Sequence, residues 1–124
     1  MNAKELRIGN LVDLYGQVET IYAIRNSGVD FYRGKTKKSV IMQSYVWEAI
    51  KPIQLTEEWL NKLGLKKIEE YCYELDNIHI NTKRELIWIF TKCKRELEFN
   101  IPDYIHELQN LYFALTNEEL TLKT

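Results

Sequence analysis

Cysteine is scarce. Cys72 and Cys93 are the only two in 124 residues, far below the density of a small secreted scaffold held by disulfides. Two prolines and five glycines are too few for a collagen-like or low-complexity disordered chain. Long apolar runs are missing too: the richest stretch is Leu86-Ile87-Trp88-Ile89-Phe90, well short of the roughly 20 residues that a membrane-spanning helix needs. Met1-Asn2-Ala3-Lys4-Glu5 lacks the apolar core of a signal peptide, so a cytoplasmic location with no membrane partner is expected. Neither charge sign dominates, since 17 Lys+Arg against 18 Asp+Glu leave a net charge of -1. No global field recruits nucleic acid or an anionic membrane, and any such role must rest on a local patch. Phosphate-binding loops, HExxH and nucleophile elbows are also lacking, so no catalytic residue and no cofactor is assigned and a non-enzymatic role is expected.

What is present folds. Hydrophobic residues at 45% and charged residues at 28% are those of a globular protein, and the length suits one domain or two small lobes. Leu11 to Tyr15, Val18 to Ile24, Val29 to Tyr32 and Val40 to Met42 are β-branched or aromatic runs. They are separated by the turn signals Gly16-Gln17, Asn26-Ser27-Gly28 and Gly34-Lys35, which predicts an antiparallel meander. Alternation slips near Thr20-Ile21, where a bulge or strong bend is expected. Pro52 cannot donate to a ladder, so Ala49 to Ile53 is expected as either an edge strand or the last strand leaving the sheet.

Thr56-Glu57-Glu58-Trp59-Leu60 carries a helix start, with Thr56 as N-cap and two carboxylates in the positive first turn. Gly64 ends this connector helix. Four strands are predicted next, Glu69 to Leu75, Ile78 to Asn81, Leu86 to Thr91 and Glu96 to Ile101, with Asp76-Asn77 as a tight turn. Period two puts Tyr71, Tyr73, Leu75, Ile78, Ile80, Leu97, Phe99 and Ile101 on one face and Cys72, Glu74, His79, Asn81, Glu96 and Glu98 on the other. The third strand is apolar on both sides: Leu86, Trp88 and Phe90 point one way, Ile87 and Ile89 the other. Tyr104 to Leu115 has the spacing of an amphipathic helix, with Asp103 as N-cap and Thr116-Asn117 as a stop. Leu120-Thr121-Leu122 is read as a last short strand.

The fold class expected is therefore α+β: a small antiparallel β-barrel lobe over residues 1–54, then residues 55–124 as a connector helix and a four-stranded antiparallel sheet packed by a C-terminal helix. At these sizes each lobe buries only about 60% of its unfolded surface, so the two are expected to dock.

Three blocks carry a resemblance: Glu5-Leu6-Arg7-Ile8-Gly9-Asn10-Leu11-Val12, Lys51-Pro52-Ile53-Gln54-Leu55-Thr56-Glu57-Glu58-Trp59-Leu60, and His106-Glu107-Leu108-Gln109-Asn110-Leu111-Tyr112-Phe113-Ala114-Leu115-Thr116. Together they resemble a family of short, uncharacterised proteins of Bacteroidales genomes, prophages and mobile elements. The resemblance implies a phage or mobile-element accessory protein and brings no catalytic or binding residues with it. Leu6 to Ile24 separately resembles the start of a small SH3-like barrel: an Ile-Gly turn, a strand, a glycine turn and a long bent strand.

Four constellations remain. Cys72, His79, Cys93 and His106 are soft ligand types without the local pair spacing of a zinc site. No metal is assigned, and His106 is expected at a helix surface or boundary. His79 with Glu74 or Glu98 is the one acid-base grouping that alternation places on a common face. Phe31, Tyr32, Arg33, Lys35, Lys37 and Lys38 join two aromatics to four cations on one hairpin and form the candidate nucleic-acid patch. Ile87, Ile89 and Trp59 form the candidate interface, since apolar and aromatic residues on a second sheet face favour association. Cover of Ile87 and Ile89 from within the chain is the favoured alternative. A protein-interaction module, monomeric or a weak homodimer, is the leading functional expectation; a small barrel binding nucleic acid through the basic hairpin is the runner-up.

Overall fold

Arg7 to Asn10 closes a tight turn because Gly9 adopts a φ of 97°, left-handed backbone that glycine reaches without steric penalty. Asn10 is fully buried. Its Oδ1 accepts the Arg7 amide at 2.7 Å, and its own amide donates to the Arg7 carbonyl at 3.0 Å. The turn is then tied to a later strand: Gly9 N donates to the Ile21 carbonyl at 2.9 Å, and Ile21 N donates to the Asn10 carbonyl at 3.0 Å. In this first block of the resemblance, Gly9 and Asn10 therefore serve backbone geometry.

The computed structural model describes residues 3–25, 28–33, 39–45, 47–91 and 93–122. These divide into two compact units, Met1–Gln54 with Tyr104–His106, and Leu55–Asp103 with Glu107–Thr124. The first unit contains β1 (Leu11–Leu14), β2 (Gln17–Ile24), β3 (Val29–Arg33), β4 (Ser39–Tyr45) and β5 (Ile50–Lys51), with a 3-10 turn at Trp47–Ala49. All neighbours are antiparallel, in the order β4-β3-β2-β1-β5. Tyr15 (φ 51°) and Gly16 (φ 85°) form the first hairpin turn, and Asp13 Oδ1 accepts the Gly16 amide at 2.7 Å. The slip expected near Thr20-Ile21 is present as a register shift between Ile21 and Ala23, and a second shift falls between Val29 and Phe31. Leu6, Val12, Leu14, Ile21, Val29, Phe31 and Ile50 make the core. Among the described residues no pairing of β4 with β5 closes the sheet, so the arrangement seen there is a five-stranded antiparallel sheet and not a closed barrel. The two-residue β5 ends at Pro52, which has no amide to extend the ladder.

In the second unit Thr56 caps α1 (Glu57–Lys62), its Oγ1 accepting the Trp59 amide at 3.4 Å. Leu60 and Leu63 are buried, and Gly64 at φ 95° turns the chain out of the helix. Five strands follow where four were expected: β6 (Lys66–Glu69), β7 (Cys72–Leu75), β8 (Ile78–Asn81), β9 (Leu86–Phe90) and β10 (Glu96–Asn100). They form a simple antiparallel meander, β10-β9-β8-β7-β6. Tyr71 at φ 68° breaks the single strand expected over Glu69 to Leu75 into β6, a turn and β7. β6 escapes a pattern reading because all four of its residues are exposed and three carry charge. The Asp76-Asn77 turn is present, with Asp76 at φ 38°.

α2 (Ile105–Thr116) carries Ile105, Leu108 and Tyr112 as buried residues on its apolar stripe. Asp103 is not its N-cap: Tyr104 intervenes, in an isolated bridge with Gln54. Asn117 at φ 61° ends the helix as expected. Leu120 to Leu122 is not a strand; Leu120 is buried and its carbonyl accepts Gln109 Nε2 at 2.9 Å.

Candidate functional site

Register, which alternation alone does not supply, decides which side chains of the second sheet meet. Across four strands it aligns Glu74 with His79, His79 with Trp88, and Trp88 with Glu98. The grouping of His79 with Glu74 and Glu98 on one face is therefore present, with Trp88 inserted between His79 and Glu98. His79 Nδ1 lies 3.8 Å from Glu74 Oε2, and the imidazole meets Trp88 with ring centroids 5.5 Å apart at 52°. The Trp88 indole donates to Glu98 Oε1 at 2.9 Å.

Local backbone chemistry brings a cation to the same place. Asn81 Oδ1 accepts the amides of Lys83 and Arg84 at 3.1 and 3.0 Å, an Asx-type turn that orders the chain between β8 and β9. The Arg84 guanidinium carbon then sits 5.7 Å from the Trp88 ring centroid, within cation–π reach. Beside this row an open concavity of about 560 Å³ is lined by Glu74, Asp76, Asn77, Ile78, His79, Trp88, Phe90 and Glu96. Phe90 is 45% exposed at its edge. Trp88, Phe90, Glu96 and Arg84 are site residues that sequence reasoning passed over. The usable signal was the Leu86, Trp88, Phe90 alternation, which shares a face with His79 and Glu98.

The His79–Glu74 separation exceeds hydrogen-bond length, and Glu98 is engaged by the Trp88 indole N–H. Outside this face, burial pushes the phenols of Tyr73 and Tyr112 above the usual tyrosine value, with Glu57 and Glu118 respectively adding to the shift. Burial likewise raises the Glu19 carboxyl in the first unit.

The candidate interface is corrected by the register. Ile87 lies beside Ile80 and Phe99, and Ile89 beside Ile78 and Leu97, so both belong to the sheet's main apolar face and both are 0% exposed. The second face of β9 belongs to Leu86, Trp88 and Phe90. Trp59 is half-buried, with the Lys62 ammonium 4.7 Å from its ring centroid.

In the candidate nucleic-acid patch, Phe31 is fully buried in the first core and has no face for a base. Lys35, Lys37 and Lys38, and the side chains of Tyr32 and Arg33, lie outside the described residues. Cys72 is a half-buried free thiol whose Sγ accepts from Asn81 Nδ2 at 3.8 Å, and Cys93 is an exposed one. His106 is not at a surface: it is 2% exposed and stacks on Tyr104 with centroids 6.0 Å apart. Among the described residues no group of three or more His, Cys, Asp or Glu is placed to hold a metal ion, and no helix is long and apolar enough to cross a membrane. No protein-family model, curated protein or solved structure matches this chain.

Proposed function

We propose that this protein is a non-enzymatic protein-interaction module, that its working surface is the outer face of the second sheet, and that the protein segment it takes is cationic. One observation carries the reading: Glu74, Asp76 and Glu96 line an open concavity with Trp88 and Phe90, and Glu98 accepts the Trp88 indole N–H beside it. Carboxylates supply attraction and orientation, Phe90 supplies an exposed ring for Lys or Arg, and Trp88, already within cation–π reach of Arg84, supplies apolar area. The same carboxylates repel phosphate, so this face argues for a protein ligand over a nucleic acid.

Amide chemical-shift mapping with Lys-rich and Glu-rich peptides of equal apolar content tests the reading. The Lys-rich peptide should shift Glu74, His79, Glu98 and the Trp88 indole N–H, with affinity falling as salt rises. Equal response to both peptides, or shifts confined to the first unit, would sink it.

Two finer statements belong to the same proposal. The first unit is read as an open SH3-like meander, supported by the strand order and by the 3-10 turn before a short last strand that returns to β1. A cytoplasmic accessory role of phage or mobile-element origin rests on the three sequence blocks and on the two free thiols.

A further inference from the structure

Both edges of the second sheet are exposed, but they differ chemically. β6 offers Lys66 and Lys67, and its pairing with β7 slips between Lys67 and Glu69. Lysines and a bulge on an edge are devices that discourage further strand pairing. β10 has neither. Its five residues pair with β9 in unbroken register, Glu96 to Phe90 through Asn100 to Leu86, so its outer edge is regular. Among the described residues no backbone hydrogen bond reaches that edge from another segment.

The side chains of β10 alternate in a way that specifies a ligand. Glu96, Glu98 and Asn100, all exposed, lie on the outer face with the half-buried Trp88. Leu97 and Phe99 lie on the apolar face, where cover thins toward the edge: across one row Ile78 is 1% and Ile89 0% exposed, whereas Leu97 is 37% exposed. The two edges also differ in charge: β6 carries Lys66, Lys67 and Glu69, whereas the charged residues of β10 are Glu96 and Glu98.

From these observations we infer that β10 is an acceptor edge, and that the partner segment adds to it as a sixth strand carrying alternate basic and apolar residues. Its basic side chains meet Glu96, Glu98 and the Trp88 face, and its apolar side chains cover Leu97 and Phe99. Main-chain bonds supply affinity and the alternating side chains supply specificity, the usual division of labour in strand addition. This inference rests on the outer face being a protein-docking surface and adds the backbone mode of binding.

The test uses the full chain and a synthetic peptide of about eight residues alternating Lys and Val, a typical strand length. Two further versions are N-methylated, one on every Lys amide and one on every Val amide. An added strand bonds through alternate residues only, so one version should lose at least about tenfold in affinity while the other stays within about threefold. β10 amides should also gain protection from hydrogen exchange. The pair Glu96→Gln and Glu98→Gln should weaken the unmodified peptide by about tenfold without altering the N-methyl pattern. If both methylated versions, or a Lys-Pro repeat, bind as well as the parent, strand addition is wrong while the outer-face reading survives. If none of the peptides binds, both readings fall. Concentration-dependent protection of β10 without peptide would assign the edge to a second copy of this chain and overturn the inference.

Discussion

Each unit holds a five-stranded antiparallel sheet, yet the two sheets place their polar residues differently. In the first, Asn10 and Asp30 are drawn inside, Asn10 closing the Arg7 turn and Asp30 accepting Arg25 at 2.7 Å. Its sheet bends through two register shifts, between Ile21 and Ala23 and between Val29 and Phe31. In the second, β7 to β10 run without a register shift, and Glu74, His79, Trp88 and Glu98 form a row on the outer face. Buried polar groups held by a bonding partner define a fold, because leaving them unpaired is costly. Carboxylates and rings left on a regular, solvated face add little stability and remain available to a ligand. On the proposed reading, the polar groups of the first sheet serve the fold and those on the outer face of the second are left for a ligand.

The hardest test of that division uses two adjacent residues. Ile87→Asp should destabilise the protein by several kcal/mol, on the order of 3 to 5, because it buries an unpaired charge. Trp88→Gln, one residue on and facing outward, should shift the urea midpoint by far less while abolishing peptide binding. Similar losses from both would erase the distinction between the faces of β9.

Next come the two asparagines that order turns. Asn10→Ala strands the Arg7 amide beside a buried site and should cost about 1 to 3 kcal/mol in chemical denaturation. Asn81→Ala acts on an exposed turn and should cost about 1 kcal/mol or less, its main effect being a weaker hold on Arg84 over Trp88. An Asn81 effect as large as that of Asn10 would mean that the second unit also relies on such caps.

Titration separates the units more gently. Tyr73 and Tyr112 are raised above the ordinary 10.0, and a raised folded value stabilises below the unfolded one. Their contribution is therefore complete below about pH 10 and is lost as pH rises through the folded values. Tyr112→Phe should flatten this alkaline fall, read by circular dichroism. Glu19 is raised above 4.5, so its contribution is present in acid and lost as pH climbs past its folded value. Glu19→Gln should accordingly make stability less dependent on pH in that acid window. A Glu19→Gln protein with an unchanged acid profile would remove the first unit's signature.

The smallest effect belongs to Glu98→Gln, which should leave stability within about 0.5 kcal/mol and lower the affinity of a Lys-rich peptide. Thermal melts and titration calorimetry on the same samples would check both halves. A large loss of stability would make Glu98 a structural partner of Trp88 first and a ligand-facing group second.

Local chemistry settled a good part of this molecule before any contact was known. Thr56, the acidic first turn and Gly64 specify α1; Asp76 and Asn117 supply left-handed backbone where it is needed. The slip at Thr20-Ile21 announces a bulge. These signals act over three or four residues, so the chain carries them whole. Pattern failed where it was silent, at the charged β6, and where it was ambiguous, at β9 with its apolar residues on both sides.

Tertiary pairing decided the rest. Alternation placed His79 and Glu98 on one face, but only register inserted Trp88 between them, turned Ile87 and Ile89 to the core, and left β10 as an acidic edge. Likewise, the return of β5 to β1, strands far apart in the chain, is a pairing that no local signal specifies, while β4 and β5 do not pair among the described residues. The physical reason is the same in each case. A strand's own residues determine which side chains share a face, because the pleat has period two, whereas the neighbours across that face come from hydrogen bonds to other strands.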